Sequence, residues 1–542
     1  MSKNSEKNRG ETMSHSKSET KKIDRRTFLK YAAAVAATGV VVGTATYFAV
    51  PKGVVETVKT VTVPGTTVTT TKTVTETVTV TPIVSPTTSI VTTTPTPTVT
   101  TPAGLREHVL YTWEGAEGTA VSNAAKYWNE HYAKKYGFTV KVSQWGREEF
   151  FSKMVNMITS NTDTWQAYMV FNFYIPSFVE SGSLAPLSDY FKDPEYFLPE
   201  YTKPLKVAVD LASYKGEIYG SSQVIVSEGI LRYRKDLIER LLKDSAWQSK
   251  YKSLAKEHLG MELDPKNPDE WNWNDYLATA LFFTKKYNPD SPTDYGTVFE
   301  GLSAFGVQFA AYWYEILESF GGTLFKDGKV AVNSPEGLES LKYLLDLRRK
   351  WEVVPPDVHR YEAFEEYTAF QSGKVAFGLD WDWDTLHLLN PKESPLVYDK
   401  MEETIPPKGP GGRCAYVQQF AWVINEHTSE QAKKDMARFL MWASHSKEGV
   451  LTTLKAGIPA GTYIPEILTT DYGFSNEEIK HYKFYYEKIL SGTVVRPVYW
   501  PLVPTAPDIY TNISNILGMA LAGEVSYEDA LKMMEDKLKA LI

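Results

Sequence analysis

The chain runs to 542 residues, enough for two lobes of ordinary domain size, and its 43% hydrophobic and 23% charged content is that of a globular protein. A net charge of −8, with no basic stripe beyond the first thirty residues, removes any general attraction to nucleic acid or anionic lipid. One cysteine, Cys414, excludes an intrachain disulfide and a Cys-based zinc site.

Residues 1–30 form a basic N-region whose Arg25-Arg26, followed by Thr-Phe-Leu-Lys, resembles a twin-arginine export signal, which would imply export by that pathway, and an uncharged run from Tyr31 to Val50 comes next. Charge before an apolar run puts the remainder of the chain outside the cell. Residues 31–50 are read as a signal or transmembrane segment, long enough at about 1.5 Å per residue to span a bilayer core. No cysteine follows it to take a lipid. Residues 51–105 are almost wholly Thr, Val and Pro, which predicts a disordered, O-glycosylated stalk. The expectation is a chain anchored by its N-terminal segment to the extracellular face of the membrane, with the signal uncleaved.

From Arg106 the texture becomes α/β. "EHVLYTW" predicts a strand, "GTAVSNAAKYWNEHYAKKYG" a helix ending at Gly137, and "FTVKVSQW" a second strand, the unit that builds parallel sheets. "EEFFSKMVNMITS" predicts another helix and "WQAYMVFN" a third strand. Residues 267–287 read as a capped helix whose Trp271 and Trp273 serve packing, and "SPEGLESLKYLLDLRRKW" as a helix capped by Ser334. In "GKVAFGLDWDWDTL" (373–386), Val375–Leu379 reads as a short buried strand. Continued extension would set Trp381 and Trp383 on one side and Asp380, Asp382 and Asp384 on the other. Helices over "SEQAKKDMARFLMWASH" and "SYEDALKMMEDKLKALI" follow.

Catalytic and metal signatures are missing: there is no G-x-x-x-x-G-K-[ST], H-E-x-x-H or G-x-S-x-G, and the nine histidines are scattered. The aspartates at 380, 382 and 384 imitate the start of a calcium loop, but its glycine and distal glutamate are absent. No cofactor or metal is expected.

Several segments, in order, resemble the extracellular solute-binding proteins of ABC importers, family 1, the maltose-binding-protein group. They are "VLYTWEG", "FFSKMVNMITSNTDTWQAYMV", "ESGSLAPLSDYF", "SYKGEIYGSSQVIVSEGILRYRKDLIE", "YWYEILESFGGTLF", "AFQSGKVAFGLDWDWDTL", and "RPVYWP" followed by "ALAGEVSYEDALKMMEDKL". The chain departs from the family where Arg234 follows Tyr233 in place of an asparagine. It departs again where "FNFY" replaces an acidic residue, leaving Asn172 as the nearest polar group. The resemblance implies a two-lobed periplasmic-binding-protein-like α/β fold over 106–542, with a hinge and an interlobe ligand cleft. Lobe 1 would hold about 106–227 and 400–447, and lobe 2 about 228–399 and 448–542.

A sugar presents C–H faces that stack on aromatic rings and hydroxyls that need hydrogen bonds, so its site mixes indoles with carboxylates and amides. Trp113-Glu114, Trp381-Asp382-Trp383 and Tyr499-Trp500 supply both, and Trp145, Asn172, Tyr312 and Trp313 complete the candidate ligand-binding set. The function expected is capture of a sugar or oligosaccharide and its delivery to ABC permease subunits served by a cytoplasmic ATPase, by a monomer with no catalytic residues. The alternatives are a membrane-anchored glycoside hydrolase, with a carboxylate pair such as Glu114 and Asp382, and a peptide-binding transport protein. The sequon at Asn512 falls in a predicted helix.

Overall fold

The computed structural model describes residues 59–63, 66–70, 104–160, 162–303 and 307–542. The twin-arginine region and the apolar run at 31–50 lie outside these residues, so the expected membrane segment is not addressed. Among the described residues no helix is long and apolar enough to cross a membrane. Ten residues of the expected disordered stalk are ordered: Lys59–Val63 and Thr66–Thr70 pair antiparallel, with Lys59 opposite Thr70 and Val63 opposite Thr66. Alternating Thr and Val favour extended backbone.

The first large sheet starts with β1 (Arg106–Trp113), β2 (Phe138–Trp145) and β3 (Ala167–Phe171). β1 lies parallel to both others, with Trp113 opposite Trp145 and Leu110 opposite Ala167. Between β1 and β2 runs α1 (Ala116–His131), whose short continuation ends at Gly137 with φ 79°. α2 (Arg147–Thr159) links β2 to β3. α1 starts hard against the strand before it. A Cβ on Gly118 would sit 2.2 Å from the Trp113 carbonyl oxygen, so only glycine allows the approach.

Two segments carry the chain between sheets. β4 (Gly220–Ser227) belongs to the first sheet, and β5 (Ile230–Arg234) is the centre of a second, three-stranded sheet. Only Glu228 and Gly229 separate them. β6 (Phe377–Asp380) and β7 (Met401–Thr404) flank β5, both antiparallel. The chain then returns through residues 405–413 to β8 (Cys414–Ile424), an eleven-residue strand buried throughout. β8 pairs antiparallel with β3 on one side and β4 on the other, and its first residues also pair with β9 (Arg496–Val498). At the crossing, a Cβ on Gly229 would meet the Ala415 Cβ at 2.3 Å, which fixes glycine where the two connecting strands touch.

Helices α3 (Val307–Ser319), α4 (Pro335–Arg349), α5 (Ala506–Ala522) and α6 (Tyr527–Leu541) pack on one another, with α3 against β8, while Lys235–Lys243 and Ala363–Gln371 pack on the second sheet. Ser334 caps α4 by accepting from the Gly337 N–H at 3.0 Å, as expected. The predicted helix over 267–287 is shorter, Trp273–Phe282, opened by an Asn272 capping box; Trp271 and Trp273 are both buried. Asn512 sits within α5 and donates to the Asp508 carbonyl at 2.8 Å. A separate apolar cluster backs the crossing: Ile225, Ile230, Ala415 and Val417 pack with residues drawn from 450–495.

The strand expected at Val375–Leu379 is displaced to Phe377–Asp380, and the alternation expected beyond it does not occur. Asp382–Asp384 turns into a single 3₁₀ turn. Trp381 and Trp383 therefore do not share a face. The former points into the interior, while the latter lies half-buried against Phe364, a residue 61% exposed.

Candidate functional site

A series of aromatic rings links three of the predicted indoles, Trp113, Trp500 and Trp381. Trp113 closes β1, and its Nε1 donates to Glu117 Oε2 at 3.1 Å. Its ring meets the edge of Phe420 at 5.0 Å, and Phe420 lies 5.1 Å from Phe171. Phe171 stacks on Phe173 (5.3 Å), which stacks in turn on Tyr510 of α5 (5.4 Å). Tyr510 takes the edge of Trp500 at 4.7 Å, and Tyr416 bridges Trp500 to Trp381 at 6.4 and 6.3 Å. This unbroken series of rings runs from the strand ends of the first sheet to the end of β6 in the second.

Acidic and hydroxyl groups accompany the rings. Trp381 Nε1 donates to Glu300 Oε1 at 2.7 Å. Glu228, in the two-residue crossing, is fully buried, and neither carboxylate oxygen has a hydrogen-bond partner. The same holds for Glu366, on the helix Ala363–Gln371 that packs against β6. Burial pushes the Glu228 carboxyl well above its usual range, and Glu300, Glu315 and Asp380 push the same way. Burial, then Asp380, Glu300, Glu228 and Asp384, do the same to Glu366. Glu315 on α3 accepts from the Tyr416 N–H at 2.8 Å, yet burial still raises it to about 8. The hydroxyl of Tyr510 has no partner either; burial raises its pKa, followed by the fields of Tyr416, Glu228 and Glu300.

One cation stands at the edge of this group. Arg232 of β5 donates to Asp380 Oδ2 at 2.5 Å, to Asp384 Oδ2 at 3.1 Å and to the Trp381 carbonyl at 2.9 Å. Its charge is matched by Asp380 and Asp384, and Glu403 approaches at 3.6 Å. Burial opposes ionisation of Glu403, but His481 at 2.8 Å and then Arg232 prevail and hold it at about 2.

The remaining candidates go elsewhere. Asp382 is fully buried, and its Oδ1 accepts from the Ser227 N–H at 2.7 Å, so it ties the 3₁₀ turn to the crossing strand. Asn172 is likewise committed, its Oδ1 accepting from the Gln419 N–H at 3.1 Å. Glu114 is exposed. The carboxylate pair Glu114 and Asp382 is thus split between the surface and the interior. Trp145 lies half-buried beside Tyr111 with Lys153 Nζ over its ring. Tyr312 is buried near Phe299 at 5.8 Å, and Trp313 is fully buried on α3. Tyr499 packs against the apolar cluster behind the crossing, on the other side of the chain from Trp500.

Glu228, Glu300, Tyr416 and Tyr510 are not among the residues predicted from sequence. "SEGI" held a clue in the form of a charged residue and a glycine directly after the buried strand "GSSQVIVS". Tyr416 and Tyr510 lie in a strand and a helix where an aromatic reads as core. Among the described residues no cluster of His, Cys, Asp and Glu could hold a metal ion.

Comparison with known proteins agrees with this architecture. Residues 115–440 match the family model of bacterial extracellular solute-binding proteins, and residues 22–42 match that of the twin-arginine translocation signal. A maltose-bound MalE3 of T. maritima superimposes with a TM-score of 0.63 at 21% identity, over 80% of this chain and 100% of that one. An ABC substrate-binding protein from Listeria monocytogenes in complex with cycloalternan gives 0.61 at 20% identity, over 80% and 98%. One from Agrobacterium vitis with bound D-mannitol gives 0.58 at 20%, over 80% and 98%. These likenesses establish a shared two-lobed fold. With a family match over more than half its length, an export signal ahead of it and that fold, this chain belongs to the bacterial extracellular solute-binding proteins.

Proposed function

We propose that the protein captures a sugar or oligosaccharide outside the cell and hands it to the permease of an ABC importer. The observation that carries this reading is the series of rings from Trp113 to Trp381 with Glu228, Glu300 and Tyr510 set along it. Aromatic faces suit the apolar face of a pyranose, and buried carboxylates accept its hydroxyls. The named solved relatives were crystallised with maltose, cycloalternan and D-mannitol, all rich in hydroxyls, which supports the same ligand class.

Entry requires the lobes to part, because Trp113, Trp381 and Trp500 are 3%, 4% and 0% exposed. The crossing segments 228–229 and 405–413 are the natural hinge, and closure would bury the ligand between the two sheets. We place the lobe boundaries at these crossings. Trp113 and Trp500 then contact ligand together with Trp381, while Trp383, Tyr499 and Glu114 lie off the path.

Calorimetric titration of the full chain with a panel of mono- and oligosaccharides tests the reading. Saturable binding of at least one sugar, weakened by Trp500→Ala in a variant that still folds, is expected. Consumption of the sugar in place of reversible binding would sink it in favour of hydrolysis.

A further inference from the structure

The ring-lined site holds more buried carboxyl groups than its own hydrogen bonds satisfy. Glu228 and Glu366 are completely buried, and their carboxyl groups have neither an ion pair nor a hydrogen bond. Every charged group acting appreciably on Glu228 is itself an acid: Glu300, Glu315 and Asp380. Among the described residues, the buried cation Arg232 is already matched by Asp380 and Asp384. A buried carboxyl without a partner holds its proton, and an ammonium group brought by the ligand stabilises the ionised form in its place.

A second observation points the same way and involves no carboxylate. The Tyr510 hydroxyl is 2% exposed, has no hydrogen-bond partner, and lies within the electrostatic reach of Glu228, Glu300 and Tyr416. Glu228 is thus set among acids, near the Tyr510 phenol and Tyr416, whose carbonyl accepts from the Glu228 N–H at 3.1 Å, and Trp381 is bonded to the neighbouring Glu300. Acids with aromatic faces form a receptor for an ammonium group, by charge pairing and by cation–π attraction together.

Resting on the sugar-binding reading above, we infer that the ligand is an amine-bearing carbohydrate whose ammonium group is held by Glu228 and Glu300 beside Tyr416 and Trp381. Glu366 is within the electrostatic reach of both Glu228 and Glu300. The hydroxyls of the same ligand would meet Tyr510 and the remaining carboxylate oxygens.

The test is titration of the full chain at pH 7 with matched pairs: glucosamine and glucose, galactosamine and galactose, chitosan disaccharide and cellobiose. Spermidine serves as a cation without sugar hydroxyls. The expected result is that one amine-bearing sugar binds on the order of 10-fold or more tighter than its neutral partner. Glu228→Gln, which keeps the shape and removes the charge, should level the two affinities with thermal stability unchanged or raised. Glu366→Gln should narrow the gap without closing it. Equal or tighter binding of a neutral sugar overturns the inference and leaves the sugar reading intact. Binding of spermidine alone, or of no compound in the panel, overturns the sugar reading and this inference with it.

Discussion

Trp381 Nε1 is bonded to Glu300 Oε1 at 2.7 Å, so the indole that closes β6 and the carboxylate beside it form one buried unit. Its ring is also 96% removed from solvent, with a tyrosine edge against it. A residue so placed serves packing and the site at once. Trp381→Ala is expected to cost about 3 to 5 kcal/mol of stability and to abolish ligand binding in the fraction that folds. Trp383→Ala, at a half-buried position against an exposed Phe364, should cost about 1 kcal/mol or less and leave affinity unchanged. Chemical denaturation paired with titration checks both; equal losses in the two variants would contradict the divided roles.

Asp382 holds the crossing strand through the Ser227 N–H. Asp382→Asn keeps an acceptor at that position and sheds a charge that burial disfavours, so stability should hold or rise slightly. Asp382→Ala strands the Ser227 N–H in the interior and should cost about 1 to 3 kcal/mol. A thermal melt of the two variants separates these outcomes.

Arg232 compensates Asp380 and Asp384 without solvent access. Arg232→Met leaves two adjacent buried carboxylates unmatched, which is expected to cost about 3 to 5 kcal/mol. Arg232→Lys should recover only part of this, since one ammonium cannot reproduce the forked contacts to both acids and the Trp381 carbonyl. Urea unfolding of the three forms is the measurement.

Glu315 is held at about 8 by burial, above the range it has in the unfolded chain. Between about pH 4.5 and 8 the folded state keeps a proton that the unfolded state has lost, so stability falls as pH rises. The slope is about 1.4 kcal/mol per pH unit for this group. Glu228 and Glu366, both raised well above the usual range, act in the same direction. Glu315→Gln should flatten the decline and raise the melting temperature at pH 8, with little change at pH 4. A rise in ligand-free stability from pH 5 to 8 would refute the assignment.

Residues 1–103 should be dispensable for folding and binding, but Arg106 should not. Its guanidinium pairs with Asp435 at 2.8 Å, the same carboxylate that His108 reaches at 2.8 Å, fixing β1 to the helix Glu430–His445. A chain starting at Gly104 is expected to be soluble, monomeric and fully active in titration, whereas one starting at Glu107 should melt lower.

The amino-acid sequence by itself determined what depends on neighbours along the chain. The periodicity of 106–171 set strand, helix, strand, helix, strand in their observed order, and local caps such as Ser334 set helix starts. The order of glycine and aromatic segments was enough to indicate the family. What depends on contacts between distant residues needed the tertiary structure. β8 is buried throughout because three strands and several helices cover it, and nothing local in "CAYVQQFAWVI" distinguishes this central strand from any other apolar run. The alternation in "LDWDWD" predicted two indoles on one face. Asp382 finding the Ser227 N–H, and Arg232 gathering Asp380 and Asp384, bent that segment into a turn and sent the indoles apart. The acids that give the site its character come from Glu228, Glu300, Glu315 and Glu366, four segments up to 138 positions apart. Their proximity, and with it the raised titration of Glu228 and Glu366, exists only once the two sheets are packed.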